Sequence, residues 1–206
     1  DRRALGDGLR EPHEHFRGYA GTITGGRLQV GDNVVALPSG VRSRVVSIGT
    51  AQGDREQAAA GEAVMITLAD QVDIGRGQVL AHLAAPPSVG TRFEAEVVWM
   101  AQQPLVAGGS LEFKFAHRYV AGSAARVVHR VDVTDLGIHP ATTLALNDVG
   151  RCEFVLAEDV AFDTYDEHRA TGSFAIIDRV THQTLGAGMV RSASPSPNGR
   201  SPAVKK

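Results

Sequence analysis

The residues best suited to chemistry gather in one short run, FDTYDEHRATG, Phe162 to Gly172, where Asp163, Asp166 and Glu167 stand beside His168 and Arg169. Carboxylates close to an imidazole are the raw material of general acid–base catalysis, and a thiol, Cys152, lies upstream as a potential nucleophile. An independent enzyme would draw on His168, Asp166 or Cys152. Against this, the chain has no GxSxG and no Cys–His signature. Thiol catalysis also needs an activating base and a lowered pKa. The acidic run therefore reads as a solvated loop, and the lone Cys152 as a small apolar residue in a strand. No catalytic residue is assigned.

His117, His129 and His139 show neither HExxH nor the close spacing of metal ligands, and no cysteine pair supports them, so no metal site is expected. His129 falls with Ala125, Val127, Val131 and Val133 on one face of ARVVHRVDV, where a packed imidazole is the expectation. Gly18, Gly21, Gly25 and Gly26 could be mistaken for a phosphate loop. A true one lies between a strand and a helix and carries a lysine, so these glycines read as bends and turns. The single tryptophan, Trp99, leads into MAQQPL and is the best candidate for an interface, with Met100 and Gln103 beside it, because tryptophan is enriched at binding hot spots. Trp99 also continues the alternation of Phe93, Ala95 and Val97, which is the pattern of a core-facing strand residue.

The elements that must position these residues are strands. NVVAL, RVVSIG and AVMITLA are short β-rich runs bounded by turn residues, with turns at VGD (Gly31, Asp32) and LPSG (Leu37 to Gly40). AAPPSVGT, with two consecutive prolines, cannot feed a hydrogen-bonded ladder and marks a connector. Beyond it RFEAEVVWM alternates with period two, and further strands are expected at ARVVHRVDV, GRCEFVLA, GSFAIID and QTLGAGMV. No stretch carries a helical period. The fold class is all-β: two small barrels, with an unmatched segment at 1–15, barrels at 16–86 and 87–190, and a disordered tail or linker at 191–206, which is rich in Ser, Pro and Gly.

Composition agrees with a globular chain. Of 206 residues, 43% are hydrophobic and 21% charged, enough apolar material for a core. Twenty-one basic against 23 acidic residues leave a charge of −2, which removes the pull nucleic-acid binding exploits. No apolar run is long enough for a membrane helix and no secretory leader is seen, so a cytoplasmic protein without membrane contact is expected.

The two stretches FRGYAGTITGGRLQVGDNVVALPSGVRSRVVSIGT and GDREQAAAGEAVMITLADQVDIGRGQVL resemble the second domain of the large, GTPase subunit of bacterial sulfate adenylyltransferase. VVWMAQQPL, TLALNDVGRCEF and RATGSFAIIDRVTHQTLGAGMV are similar to its third domain, in the same order. The wider translation-factor superfamily, with elongation factor Tu, shares the barrels and patterns such as RGQVL. VVWM and IIDRVTHQTLGAGM favour the sulfate-assimilation branch. ARVVHRVDV is a few residues shorter than that family's pattern.

The resemblance implies two barrels of the elongation-factor-Tu domain 2 and domain 3 type. In that family a preceding domain binds GTP and Mg and couples GTP hydrolysis to making adenylylsulfate from ATP and sulfate. A separate small subunit transfers the adenylyl group, and some members carry an adenylylsulfate kinase. These 206 residues contain no GxxxxGK[ST], so the GTPase motifs are absent and no cofactor is expected in this chain. The expectation is a non-catalytic scaffold that binds the small subunit. The alternative is an RNA-binding barrel fragment of a translation-factor GTPase, which the charge balance opposes.

Overall fold

The computed structural model describes residues 17–193. The expected N-terminal segment at 1–15, and the tail from residue 194 on, lie outside the described residues. Every element is a strand, and among the described residues no helix is long and apolar enough to cross a membrane.

The first half contains β1 (Gly18–Thr22), β2 (Arg27–Gln29), β3 (Asn33–Leu37), β4 (Val41–Thr50), β5 (Gly53–Arg55), β6 (Gln57–Ala59), β7 (Ala63–Leu68) and β8 (Val79–His82). Five of them pair antiparallel in the order β1-β7-β4-β3-β8, β5 extends β4, and β2 and β6 form a separate ribbon. The glycine-rich run at its start makes strand, turn, strand. Gly26 and Gly31 take φ of +70° and +95°, and the Asp32 carboxylate accepts the Gln29 N–H at 2.7 Å to close the second turn. The core is aliphatic: Val34, Val45, Ile48, Ala58 and Ile66 are buried, with Leu28 and Leu80 packed against them. The hydroxyl of Tyr19 donates to the Val72 carbonyl at 2.5 Å and accepts its N–H at 3.1 Å, pinning the segment between β7 and β8.

The second half runs through β9 (Ser88–Trp99), β10 (Leu105–Val106), β11 (Ser110–Phe115), β12 (Arg118–Val131), β13 (Ile138–His139), β14 (Thr143–Leu144), β15 (Val149–Phe162), β16 (Ser173–Ile177) and β17 (Thr184–Ala193). Six strands, β11-β16-β17-β9-β15-β12, return to β11 and close an antiparallel barrel. Closure removes the unpaired edges that an open sheet leaves. The alternation of RFEAEVVW is realised in β9: Phe93, Ala95 and Val97 are 0% exposed and Trp99 3%. Arg191, Ser192 and Ala193 belong to β17.

Phe93, Phe113, Phe115, Phe154, Phe162 and Phe174 fill the barrel as one aromatic cluster, and Phe93 lies 5.2 to 6.2 Å, centroid to centroid, from each of the other five. Two glycines of β17 make room for rings. Gly188 is the cross-strand partner of Phe174, whose ring occupies the place of a Cβ; Gly186 is the partner of Trp99, whose Cε3 would be 3.2 Å from one.

The sequence expectation for ARVVHRVDV needs correction. Strand β12 pairs with β15 through two register shifts, between Ala124 and Arg126 and between Val127 and His129. Each extra residue flips the parity of those after it, so no single face carries Ala125, Val127, His129, Val131 and Val133. Ala124 and Val127 are buried, Ala125 is exposed, His129 is half-buried, and Val133, beyond the strand, is 68% exposed.

Truncating Phe93 to alanine removes the ring all the others touch and should lower unfolding free energy by about 3–5 kcal/mol. Gly188→Ala, which forces a methyl into the Phe174 ring, should cost about 1–3 kcal/mol. Denaturant unfolding followed by far-UV circular dichroism checks both.

Candidate functional site

Trp99 ends β9 at one mouth of the closed barrel. Its indole N–H donates to the Gln103 carbonyl at 2.7 Å, so the ring packs inward while its polar edge pins the loop that follows. The Trp99 carbonyl accepts the Asn147 N–H at 2.8 Å, and the Met100 N–H donates to the Leu185 carbonyl at 2.8 Å. Below the loop, Leu105 and Leu144 are buried on the paired strands β10 and β14. The Asp148 carboxylate accepts the Ala145 N–H at 2.7 Å and faces the Arg130 guanidinium at 3.4 Å.

These contacts present a partly apolar rim. Met100 is 44% exposed, Val106 48% and Leu146 38%, with Gln102, Gln103 and Pro104 exposed between them. Of the interface candidates, Trp99 is a core residue that supports the rim from beneath, while Met100 and Gln103 are on the surface. Val106 and Leu146 were not singled out by sequence reasoning. They come from β10 and from the loop after β14, and the loop is tied to the end of β9 by the Asn147–Trp99 backbone bond.

The acidic run Phe162 to Gly172 forms the turns between β15 and β16. Thr164 donates through both N–H and hydroxyl to Glu167, at 3.3 and 2.7 Å, Thr171 bonds to Asp163, and the Tyr165 N–H donates to the Val190 carbonyl at 2.8 Å. Asp166 accepts from Arg191 Nη1 with both oxygens at 2.9 Å. Its carboxylates are thus spent on holding the turn. Cys152, 0% exposed on β15, has its thiol pushed up to about 12 by burial. A thiol so protonated is no nucleophile near neutral pH.

An outward-facing charge ladder crosses the barrel wall. Glu96 on β9 meets Arg151 Nη2 at 3.1 Å and Arg191 Nη2 at 2.5 Å, and Arg126 grips Glu153 with two hydrogen bonds, at 2.8 and 2.7 Å. Burial by itself pushes the Glu96 carboxyl up, but the hydrogen bonds and charges of Arg191 and Arg151 together outweigh it and hold it below the ordinary carboxylate range. The hydrogen bond from Arg126 does the same for Glu153. The alternation of Glu94 and Glu96 in β9 signalled an outer face; their arginine partners, from β15 and β17, were not readable.

His117 is exposed in the β11–β12 turn and His129 is half-buried on β12. His139, on β13, forms a group with Asp132 and Asp135 whose ligand atoms lie within 4.8 Å of one another. Sequence reasoning did not weigh this set. Both carboxylates already close turns, Asp132 on the Thr134 N–H at 2.9 Å and Asp135 on the Gly137 N–H at 2.7 Å.

Residues 92–191 match the family GTP-eEF1A C-terminal domain-like. Sulfate adenylyltransferase subunit 1 of Shewanella woodyi is 46% identical over 184 residues, 89% of this chain and 39% of that protein. Its counterpart in Vibrio vulnificus is 44% identical over 88% of this chain and 38% of that protein. The chain thus spans about two fifths of the length of these relatives. Among solved structures, Sup35 complexed with GDP gives a TM-score of 0.77 at 20% identity, over 86% of this chain and 44% of that one. Apo elongation factor SelB from Methanococcus maripaludis gives 0.69 at 20% identity, over 86% and 40%. At that identity these two speak for the fold alone.

Two outcomes follow. Cys152 should resist thiol reagents at pH 8 in the native chain and react fully once it is unfolded, as read by a chromogenic disulfide. Glu96, with its lowered carboxyl pKa, contributes stability above the ordinary glutamate value of about 4.3, and that contribution fades as pH falls through the lowered value. Glu96→Gln should therefore flatten the acid arm of a stability–pH curve from urea melts.

Proposed function

Residues 92–191 belong to the GTP-eEF1A C-terminal domain-like family and the chain is a homologue of sulfate adenylyltransferase subunit 1; from this premise we propose that it is the non-catalytic two-barrel part of such a subunit, a scaffold that binds a separate adenylyl-transferring subunit. The observation that carries the reading is the identity of 42–46% to several such subunits over 182–184 residues, 88–89% of the chain and so reaching into both halves. That level of identity favours the sulfate-activating branch over an RNA-binding translation factor.

In this reading the barrels occupy residues 16–86 and 87–190 and work in the cytoplasm. GTP and Mg belong to the nucleotide domain of longer family members, and an adenylylsulfate kinase domain is a further partner in some of them. The barrels transmit the nucleotide state by shifting between discrete placements relative to that domain. The contact surface for the small subunit is the rim of Met100 and Gln103, held up by Trp99. An exposed flexible methionine next to polar groups is suited to a partner surface that must repack.

Size-exclusion chromatography with light scattering on a mixture with the small subunit tests this. Co-elution at a defined ratio is expected, weakened about tenfold or more by Met100→Glu, which places a charge in an apolar contact. Separate elution of two folded proteins would refute the scaffold reading for this chain. Saturable tight binding of GTP by the chain alone would refute the assignment of nucleotide chemistry elsewhere.

A further inference from the structure

The acidic turn between β15 and β16 has a feature that partner binding leaves unused: it reaches the other half of the molecule. No strand of the first sheets pairs with a strand of the closed barrel, so loops must join the two halves. At Gly25, between β1 and β2, a Cβ would be 3.1 Å from Nδ1 of His168 and would overlap Cε1 and Nε2 of the same ring. Gly26 next to it has φ of +70°, a conformation that favours glycine by itself, whereas Gly25 does not lie in that region. At position 25 it is the His168 ring, not the backbone geometry, that a Cβ would have to displace.

The imidazole is presented by a rigid platform. The His168 N–H donates to the Thr164 carbonyl at 2.9 Å, and its own carbonyl accepts the Gly172 N–H at 2.7 Å. The Val190 N–H donates to Gly172 at 2.8 Å, tying the turn to β17. Arg191, the next residue, bridges Asp166 in the turn to Glu96 on β9. A second touch point lies at Gly77, between β7 and β8, where a Cβ would be 2.9 Å from Cβ and 3.1 Å from Cα of Arg118. Arg118 opens β12 and is paired with Glu158 at 3.1 Å.

We propose that His168 is a latch that sets the angle between the two barrels by seating its imidazole in the space left by Gly25, with Gly77 against Arg118 as the pivot. The two touch points act together with the covalent connection between β8 and β9 to hold one orientation. The two glycines differ in how firmly they hold. The Arg118 backbone cannot retreat from Gly77, but the His168 ring is the end of a side chain and can swing out. The latch is therefore the releasable contact. Release would let the first barrel turn about the Gly77 contact while the closed barrel stays intact.

Amide residual dipolar couplings of the 206-residue chain test this. In the native chain both barrels should share one alignment tensor. Gly25→Val drives the ring from its seat, and His168→Ala removes it; each should split the tensor in two while couplings within each barrel still fit one tensor. In the double variant, Gly25→Val with His168→Ala, the valine methyls fill the vacated space and the two tensors should converge again. Two tensors in the native chain, one tensor in Gly25→Val, or a double variant as split as either single one would each overturn the latch. Both substitutions lie in connecting loops outside the cores, and the couplings within each barrel report directly whether the folds survive.

Discussion

The contact of Phe93 with five other phenyl rings is the interaction on which the second barrel rests. A closed barrel has an interior that side chains must fill, and here six rings from β9, β11, β15 and β16 form its centre. Edge-to-face and tilted geometries dominate, as the ring quadrupole favours. The rings also dictate where side chains cannot be. Gly188 yields its place to Phe174, and Gly122 comes so close to Val155 and Phe113 that a Cβ would be 2.5 Å from the Val155 carbonyl oxygen and 2.9 Å from the ring. Composition of the core and placement of glycine in the strands are two sides of one packing solution.

The first half solves the same problem with smaller parts. Its buried core is aliphatic, with Tyr19 packed against it, and the Tyr19 hydroxyl, bonded twice to Val72, secures the long connection that a ladder does not hold. The two halves therefore have separate cores and meet through loops. Each half thus fills its own interior independently of the other.

Outside the aromatic core, charge is organised by strand order. Glu96 draws Arg151 and Arg191 from opposite neighbours, and Arg191 continues to Asp166, so the wall of the barrel and the acidic turn form one connected network. In that turn Asp163, Asp166 and Glu167 are each held by a hydrogen bond or ion pair. The rim at Met100 differs: Met100, Val106 and Leu146 are exposed apolar side chains with no charge to neutralise.

Strand identity was legible in the sequence because period-two alternation survives wherever one face is buried, as in Phe93, Ala95, Val97 and Trp99. The all-β class, the turn at Gly31 and Asp32, the burial of Cys152 in a strand and the kinship with sulfate adenylyltransferase subunit 1 were readable for the same reason: each depends on residues near one another in the chain. The two bulges of β12 were not readable, because an extra residue is defined only against the partner strand, and they moved Ala125 out of the face that alternation assigned to it, while Val133 falls beyond the strand's end. The pairing of β11 with β16, the arginine partners of Glu96, the bond of Asn147 to Trp99 and the meeting of His168 with Gly25 were decided by tertiary structure alone. They are contacts between residues far apart in sequence, where neither propensity nor spacing carries information, and only the filling of a common interior determines who meets whom.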